Sequence, residues 1–324
     1  MFPIRDTIQS KNYPIVNVAI IILNVFVYLV EIAQGQGLNA FLVTYGLVPA
    51  RYSIPQIAAG FTFSQQIFAF ISFMFLHGGF FHLLGNMWSL YIFGDNVEDR
   101  LGHFRYLLFY ILCGLISGLS HMLFNWYSQY PTIGASGAIA GVMGAYLILY
   151  PQSKVLTLIP IFIIPYFIEI PAFIFLGIWF LLQFLNVIGA QGQATGVAWW
   201  AHIGGFIFGI IFLKILIQIP ELGMTRYLRK KTTKQKSSRF HLLRSEGAKE
   251  DDHIYGSLRI TPREAMFGTY KLINIPLGLK RRLFRVTIPP NVKDGTLLRL
   301  PGLGRRMDNG KKGDVLIRVI IQPS

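Results

Sequence analysis

Ser136 stands in Gly134-Ala135-Ser136-Gly137, at the head of the apolar run 138–150, and His202 stands in Ala201-His202-Ile203-Gly204-Gly205, inside another. Polar and ionisable groups at membrane depth are costly and are usually functional. A serine hydroxyl becomes nucleophilic only when a base removes its proton, and His202 is the candidate base. The glycines beside Ser136 let the backbone approach a substrate closely. The helix N-terminus beneath it offers free N–H groups and a positive dipole end, suited to an oxyanion. A second polar segment, His77-Gly-Gly-Phe-Phe-His82-Leu-Leu-Gly-Asn86, places His82 and Asn86 four residues apart, on one face of a helix. An Asn amide there can donate to a developing oxyanion.

The blander reading is that Ser, Asn and His at helix interfaces are packing and interhelical glue. Gly134, Gly137, Gly141, Gly205 and Gly209 form the expected packing seam. Both readings hold together if that seam draws two helices close enough for Ser136 to meet His202. His121 is a rival base but has no flanking glycines. The acids Asp6, Glu31, Asp95, Glu98, Asp99 and Glu169 nearly all fall away from the site's depth, so a Ser-His dyad fits better than a triad. No His-Glu-x-x-His, no pair of membrane aspartates and no glycine-rich nucleotide loop occurs. No cofactor and no metal are expected. Cys113 is the sole cysteine, which excludes an intrachain disulfide and a Cys-based zinc site.

These residues need helices to hold them. The 324-residue chain is 53% hydrophobic and 14% charged, far too apolar for a soluble domain of its size. Six spans are predicted, at 15–31, 81–93, 106–124, 136–150, 171–188 and 199–219, with 155–170 a loop or interfacial segment because of Pro160 and Pro165. The positive-inside rule sets both termini in the cytoplasm, since Arg5, Lys11, Arg100, Arg105 and Lys154 fall on one side and only Arg51 on the other. The second, fourth and sixth spans then begin at the outer surface, which brings His82, Ser136 and His202 to similar depth. A bacterial inner membrane is the expected setting.

Residues 1–220 carry 7 Lys and Arg against 6 Asp and Glu, whereas the rest carries 23 against 9. The expected organisation is therefore a membrane domain over 1–220, a basic cytoplasmic linker over 221–254 and a β unit over 255–324. The linker reads as a lipid-touching anchor and not as a nucleic-acid site, because it lacks interleaved aromatics. Strands are predicted at 283–288 and 315–319, and Thr261-Pro262-Arg263-Glu264 predicts a capped helix start.

Taken together, the Gly134–Gly137 motif, the Ala201–Gly205 motif with Gly209, and His82 with Asn86 resemble the rhomboid intramembrane serine proteases, over about residues 10–218. The resemblance implies a six-helix bundle, Ser136 as nucleophile and His202 as its base. Asn86, His82 and the Ser136 backbone N–H would form the oxyanion hole, and membrane-spanning segments cut near the outer surface would be the substrates. Two departures stand out: Arg51 lacks the preceding Trp of some members, and Ala140 replaces an aromatic that stacks on the histidine. A second resemblance, carried by 261–269, 286–295, 298–304 and 313–315, is to the DnaJ C-terminal substrate-binding domain. It implies a small β-sandwich that binds extended peptide or a chaperone partner. The alternative to a protease is a catalytically silent rhomboid-like protein that binds membrane helices.

Overall fold

Long apolar runs without internal proline become helices, and their outward faces stay apolar where lipid is the solvent. A computed structural model describes residues 2–8, 10–161, 164–189, 198–220, 223–233, 240–242, 253–277, 280–304 and 313–321. It divides into two units, Met1–Thr233 and Lys234–Ser324. In the first unit the principal helices are α1 (Ile15–Ala33), α2 (Phe80–Leu101), α3 (His103–Phe124), α4 (Ser136–Leu149), α5 (Ala172–Gly189) and α6 (Trp199–Gln218). Among the described residues, α1, α3, α5 and α6 are each long and apolar enough to cross a bilayer. α2 passes that test as a pair with Phe63–Phe75, bent by 75°, and α4 is a shorter apolar helix. Ile22, Phe26, Leu29, Phe184 and Ile215 lie exposed on the outside of the bundle, which suits lipid and not water. The chain is a multi-pass α-helical membrane protein with a small β region.

α2 runs to Leu101, well beyond the predicted end at Phe93. The added turns are polar but have partners inside the protein. Glu98 accepts from the Val16 N–H (3.0 Å) and the Asn17 N–H (2.7 Å), satisfying orphan donors at the N-terminus of α1 with a negative group.

The segment 155–170, predicted as a loop, is instead a β-hairpin. Strands β2 (Lys154–Ile161) and β3 (Ile164–Pro171) pair antiparallel, and β1 (Phe2–Asp6) joins the free side of β2. Pro160 lies opposite Pro165 at the hairpin's far end, beyond Leu158, where the pairing with β1 stops. Proline is tolerated at such edge and terminal positions, so neither residue breaks the ladder.

Part of the stretch predicted as a linker belongs to the bundle. Helix α7 (Gly223–Thr232) packs back on it: Tyr13 N–H donates to the Thr232 carbonyl at 2.8 Å, and Arg229 donates to the Asp99 carbonyl. Residues 221–222, 234–239 and 243–252 of that stretch lie outside the described residues, and Phe240–Leu242, also predicted as linker, form a strand of the second unit.

In the second unit, β4 (Phe240–Leu242), β6 (Thr269–Leu277) and β7 (Lys280–Ile288) form one sheet in the order β4-β6-β7. The strands β5 (Ile254–Ile260), β8 (Leu297–Leu300) and β9 (Val315–Ile321) form another, in the order β5-β9-β8. Both predicted strands are present, within β7 and β9. The predicted helix start is also present: Thr261 and Glu264 form a reciprocal capping box at the head of α8 (Pro262–Phe267). Leu258, Ile273, Val286, Ile317 and Val319 are buried in a single core drawn from both sheets. Asp314 accepts from the Gly302 N–H at 2.9 Å and from Arg299 Nε at 2.5 Å, which holds its carboxyl below the usual aspartate range. A depressed carboxyl contributes stability above its unfolded value and loses it as the pH falls through the lowered one. Asp314→Asn is therefore expected to loosen the β8–β9 pair at neutral pH and to change nothing in strong acid. Amide hydrogen exchange over β9 reads the difference.

Candidate active site

Ser136 is the first residue of α4, and the loop that delivers it is tied down on both sides. Leu47 and Thr132 exchange backbone hydrogen bonds at 3.0 and 2.8 Å, and the Gly134 N–H donates to the Phe73 carbonyl at 2.8 Å. Gly134 adopts φ +128°, a backbone conformation that side chains disfavour. A Cβ there would lie 2.9 Å from the His82 ring and 3.5 Å from Ser136 Oγ. Gly134 thus precedes the helix and makes room for His82; it is not part of a helix-packing seam as predicted.

The seam itself is formed by the other four glycines. A Cβ on Gly205 would strike the Gly137 carbonyl, and one on Gly209 would strike the Gly141 backbone. α4 and α6 therefore touch backbone to backbone, as small residues permit in membrane bundles. On the other face of α4, Gly137 faces Ser117 and Gly141 faces Cys113, both on α3. This closeness brings the first turn of α6 against the head of α4.

There, Ser136 Oγ and His202 Nε2 are hydrogen-bonded at 2.7 Å. His202 is buried, and its Nδ1 lies 2.8 Å from Gln183 Oε1 on α5. The rings of Trp179 and Trp199 flank the imidazole, each with a centroid separation of 5.9 Å. Gln183, Trp179 and Trp199 are thus the residues around the His202 ring, and sequence reasoning missed all three. A signal was present: Gln183 is one of two carboxamides in a mostly apolar helix, the other being Asn186, and it lies four residues from Trp179 and so on the same face.

Ser136 and His202 share a cavity of about 410 Å³ with His82, Asn86, Trp179, Trp199 and Gln183. The buried amide nitrogen of Asn86 has no hydrogen-bond partner among the described residues. His82 Nδ1 accepts from the Gly78 N–H at 3.3 Å, which leaves Nε2 to carry the proton of the neutral ring. The rival base His121 is not among the residues lining this cavity. Arg51, in the short helix Ala50–Ser53, is buried; it donates to the Thr44 carbonyl at 3.0 Å and lies over the Phe61 ring, without a preceding tryptophan.

Residues 64–219 match the Rhomboid domain family. The chain carries a rhomboid domain. Residues 248–324 match the DnaJ C terminal domain, so a second known module follows the rhomboid domain. Relatives of the rhomboid domain include "RHOMBOID-like protein 6, mitochondrial" of Arabidopsis thaliana, 35% identical over 48% of this chain and 46% of its own length. "Putative rhomboid protease YdcA" of Bacillus subtilis is 40% identical over 23% of this chain and 37% of its own length. "Rhomboid protease GluP" of the same organism is 30% identical over 46% of this chain and 25% of its own length. In each case the match spans less than half of the relative.

Proposed function

We propose that the chain is an intramembrane serine endopeptidase that cuts membrane-spanning segments with Ser136 and His202. The observation that carries this reading is the 2.7 Å hydrogen bond between their side chains inside a helical membrane bundle. Ser136 Oγ attacks the scissile carbonyl carbon as its proton passes to His202 Nε2, and the carbonyl π electrons move onto oxygen. The unpartnered amide of Asn86, His82 Nε2–H and the free N–H groups at the head of α4 are the donors for that oxyanion. The C–N bond then breaks, and His202 returns the proton to the leaving amine. Water, deprotonated by the same imidazole, attacks the acyl carbon, and His202 returns that proton to Ser136 Oγ as the ester C–O bond breaks.

The proposed organisation has six crossings, α1 to α6, with both termini cytoplasmic and the site near the outer surface of a bacterial inner membrane. The membrane domain covers 1–220; the basic stretch 221–254 follows it, packing back at first as α7 and later supplying the strand β4 to the second unit. A β-sandwich over 255–324 follows, as a site for extended peptide or a chaperone partner.

The test uses the full chain in proteoliposomes with a designed single-span substrate and a fluorophosphonate serine probe. Cleavage together with probe labelling at Ser136 is expected; an intact substrate and unlabelled Ser136 would refute the reading. Removing one oxyanion donor, as in Asn86→Ala, is expected to lower kcat by about 10²–10³ and leave KM nearly unchanged. A loss confined to KM would remove Asn86 from the oxyanion site.

A further inference from the structure

We propose that Gln183 is the positioning residue of this site, a neutral third member that fixes the tautomer of His202. The inference rests on the Ser136–His202 reading above. Gln183 is buried on the inward face of α5, while its neighbours Leu181, Leu182, Phe184 and Leu185 are exposed. Its Nε2 donates to the Trp179 carbonyl at 3.0 Å. A carbonyl can only accept, so the amide nitrogen must face Trp179 and the amide oxygen must face His202. Gln183 Oε1 then stands 2.8 Å from Nδ1, and an acceptor there requires Nδ1 to carry the ring proton. A neutral imidazole holds one N–H, so Nε2 is left with a lone pair, and that is the atom 2.7 Å from Ser136 Oγ.

The chain of donors therefore runs one way: Ser136 O–H to His202 Nε2, His202 Nδ1–H to Gln183 Oε1, Gln183 N–H to the Trp179 carbonyl. When His202 takes the serine proton it becomes a cation, and the carboxamide oxygen still accepts from Nδ1–H. A carboxylate in this position would do the same with a full charge, which is expensive to bury without a partner. A carboxamide orients the ring at lower cost. Trp179 and Trp199 restrict tilting of the same ring.

The test compares wild type with Gln183→Met, which keeps the length but has no acceptor, and Gln183→Glu, which keeps the acceptor. In a soluble serine protease, forcing the wrong tautomer costs about 10⁴ in kcat. Here the acceptor is lost but no wrong tautomer is imposed, so Gln183→Met is expected to lose about 10- to 100-fold in kcat, with KM and the thermal midpoint little changed. Gln183→Glu is expected to recover most of that loss. Histidine ¹⁵N NMR, with the His202 signal assigned from His202→Ala, is expected to show a protonated Nδ1 in wild type and a tautomer mixture in Gln183→Met. Unchanged kcat or an unchanged tautomer in Gln183→Met overturns the proposal, as does a thermal shift without a kcat loss. If Gln183→Met does not fold, Gln183→Glu decides: near-wild-type kcat supports the proposal and an inactive folded protein overturns it. Wild type that fails to cleave would overturn the protease reading itself, a separate outcome.

Discussion

Ser136→Ala and His202→Ala are each expected to lower kcat by at least about four orders of magnitude, and the double variant by no more than the worse single one. The non-additivity follows from the geometry. The proton acceptor for attack by Ser136 Oγ is the imidazole bonded to it at 2.7 Å, and the imidazole has no reaction to catalyse without the hydroxyl. In a soluble serine protease, removing either partner alone costs about 10⁶ in kcat, close to the cost of removing both. The residual rate belongs to the oxyanion donors and to substrate binding. Steady-state cleavage of a designed single-span substrate in proteoliposomes, with the three variants at matched folding, measures the effect. A Ser136→Ala protein that retains a tenth of the wild-type rate would sink the mechanism, and additive losses would show that the two side chains do not act together.

The parts of the site legible in the sequence are those whose cost is visible in one dimension. Ser136 and His202 interrupt apolar runs, and His82 with Asn86 repeats at a helical turn; each is a polar group where lipid or packed helix demands an explanation. The positive-charge bias adds an expected order of the spans, in which three of these residues share one depth. Gln183 meets the same criterion but lacks a motif around it, because its role depends on which face of α5 turns inward. That face is set by packing against α6, which the nearly uniform apolar sequence of α5 does not encode locally. Gly134 is misplaced for a related reason. A glycine needed for a positive φ and one needed for close helix packing look alike until the start of the helix is fixed at Ser136. The hairpin at 154–171 is hidden by its prolines, which exclude a strand interior but not its end. In the second unit, turn chemistry and the capping box are short-range signals, and those elements are legible. The pairing of β5 with β9 is parallel and joins residues about sixty apart in sequence, so no local pattern reports it.

The largest structural effect is expected at Gly205, which touches neither Ser136 nor the cavity. A Cβ at this position would lie against the Gly137 carbonyl, 3.0 Å from its carbon, and 3.5 Å from the Ala140 methyl. The obstacle is backbone, which cannot rotate away as a side-chain end would, so α4 and α6 must move apart. Gly205→Val adds two further methyl groups to that strain; inserting bulk into a packed core typically costs about 1–3 kcal/mol, occasionally more. His202 lies on α6 one turn before Gly205, and Ser136 is adjacent to Gly137 on α4. Separation at the seam is therefore separation of the dyad. A misplacement of about 1 Å can cost about 10²-fold in rate. Gly205→Val is expected to lower kcat by at least that factor and to depress the thermal midpoint in the same detergent. Gly177 on α5 provides the contrast. A Cβ there meets nothing within 4 Å, and Ala is favoured over Gly in a helix interior. Gly177→Ala is expected to keep wild-type kcat and thermal stability. If Gly205→Val retains both, the hydrogen bond between Ser136 and His202 does not depend on the glycine contact that brings their helices together.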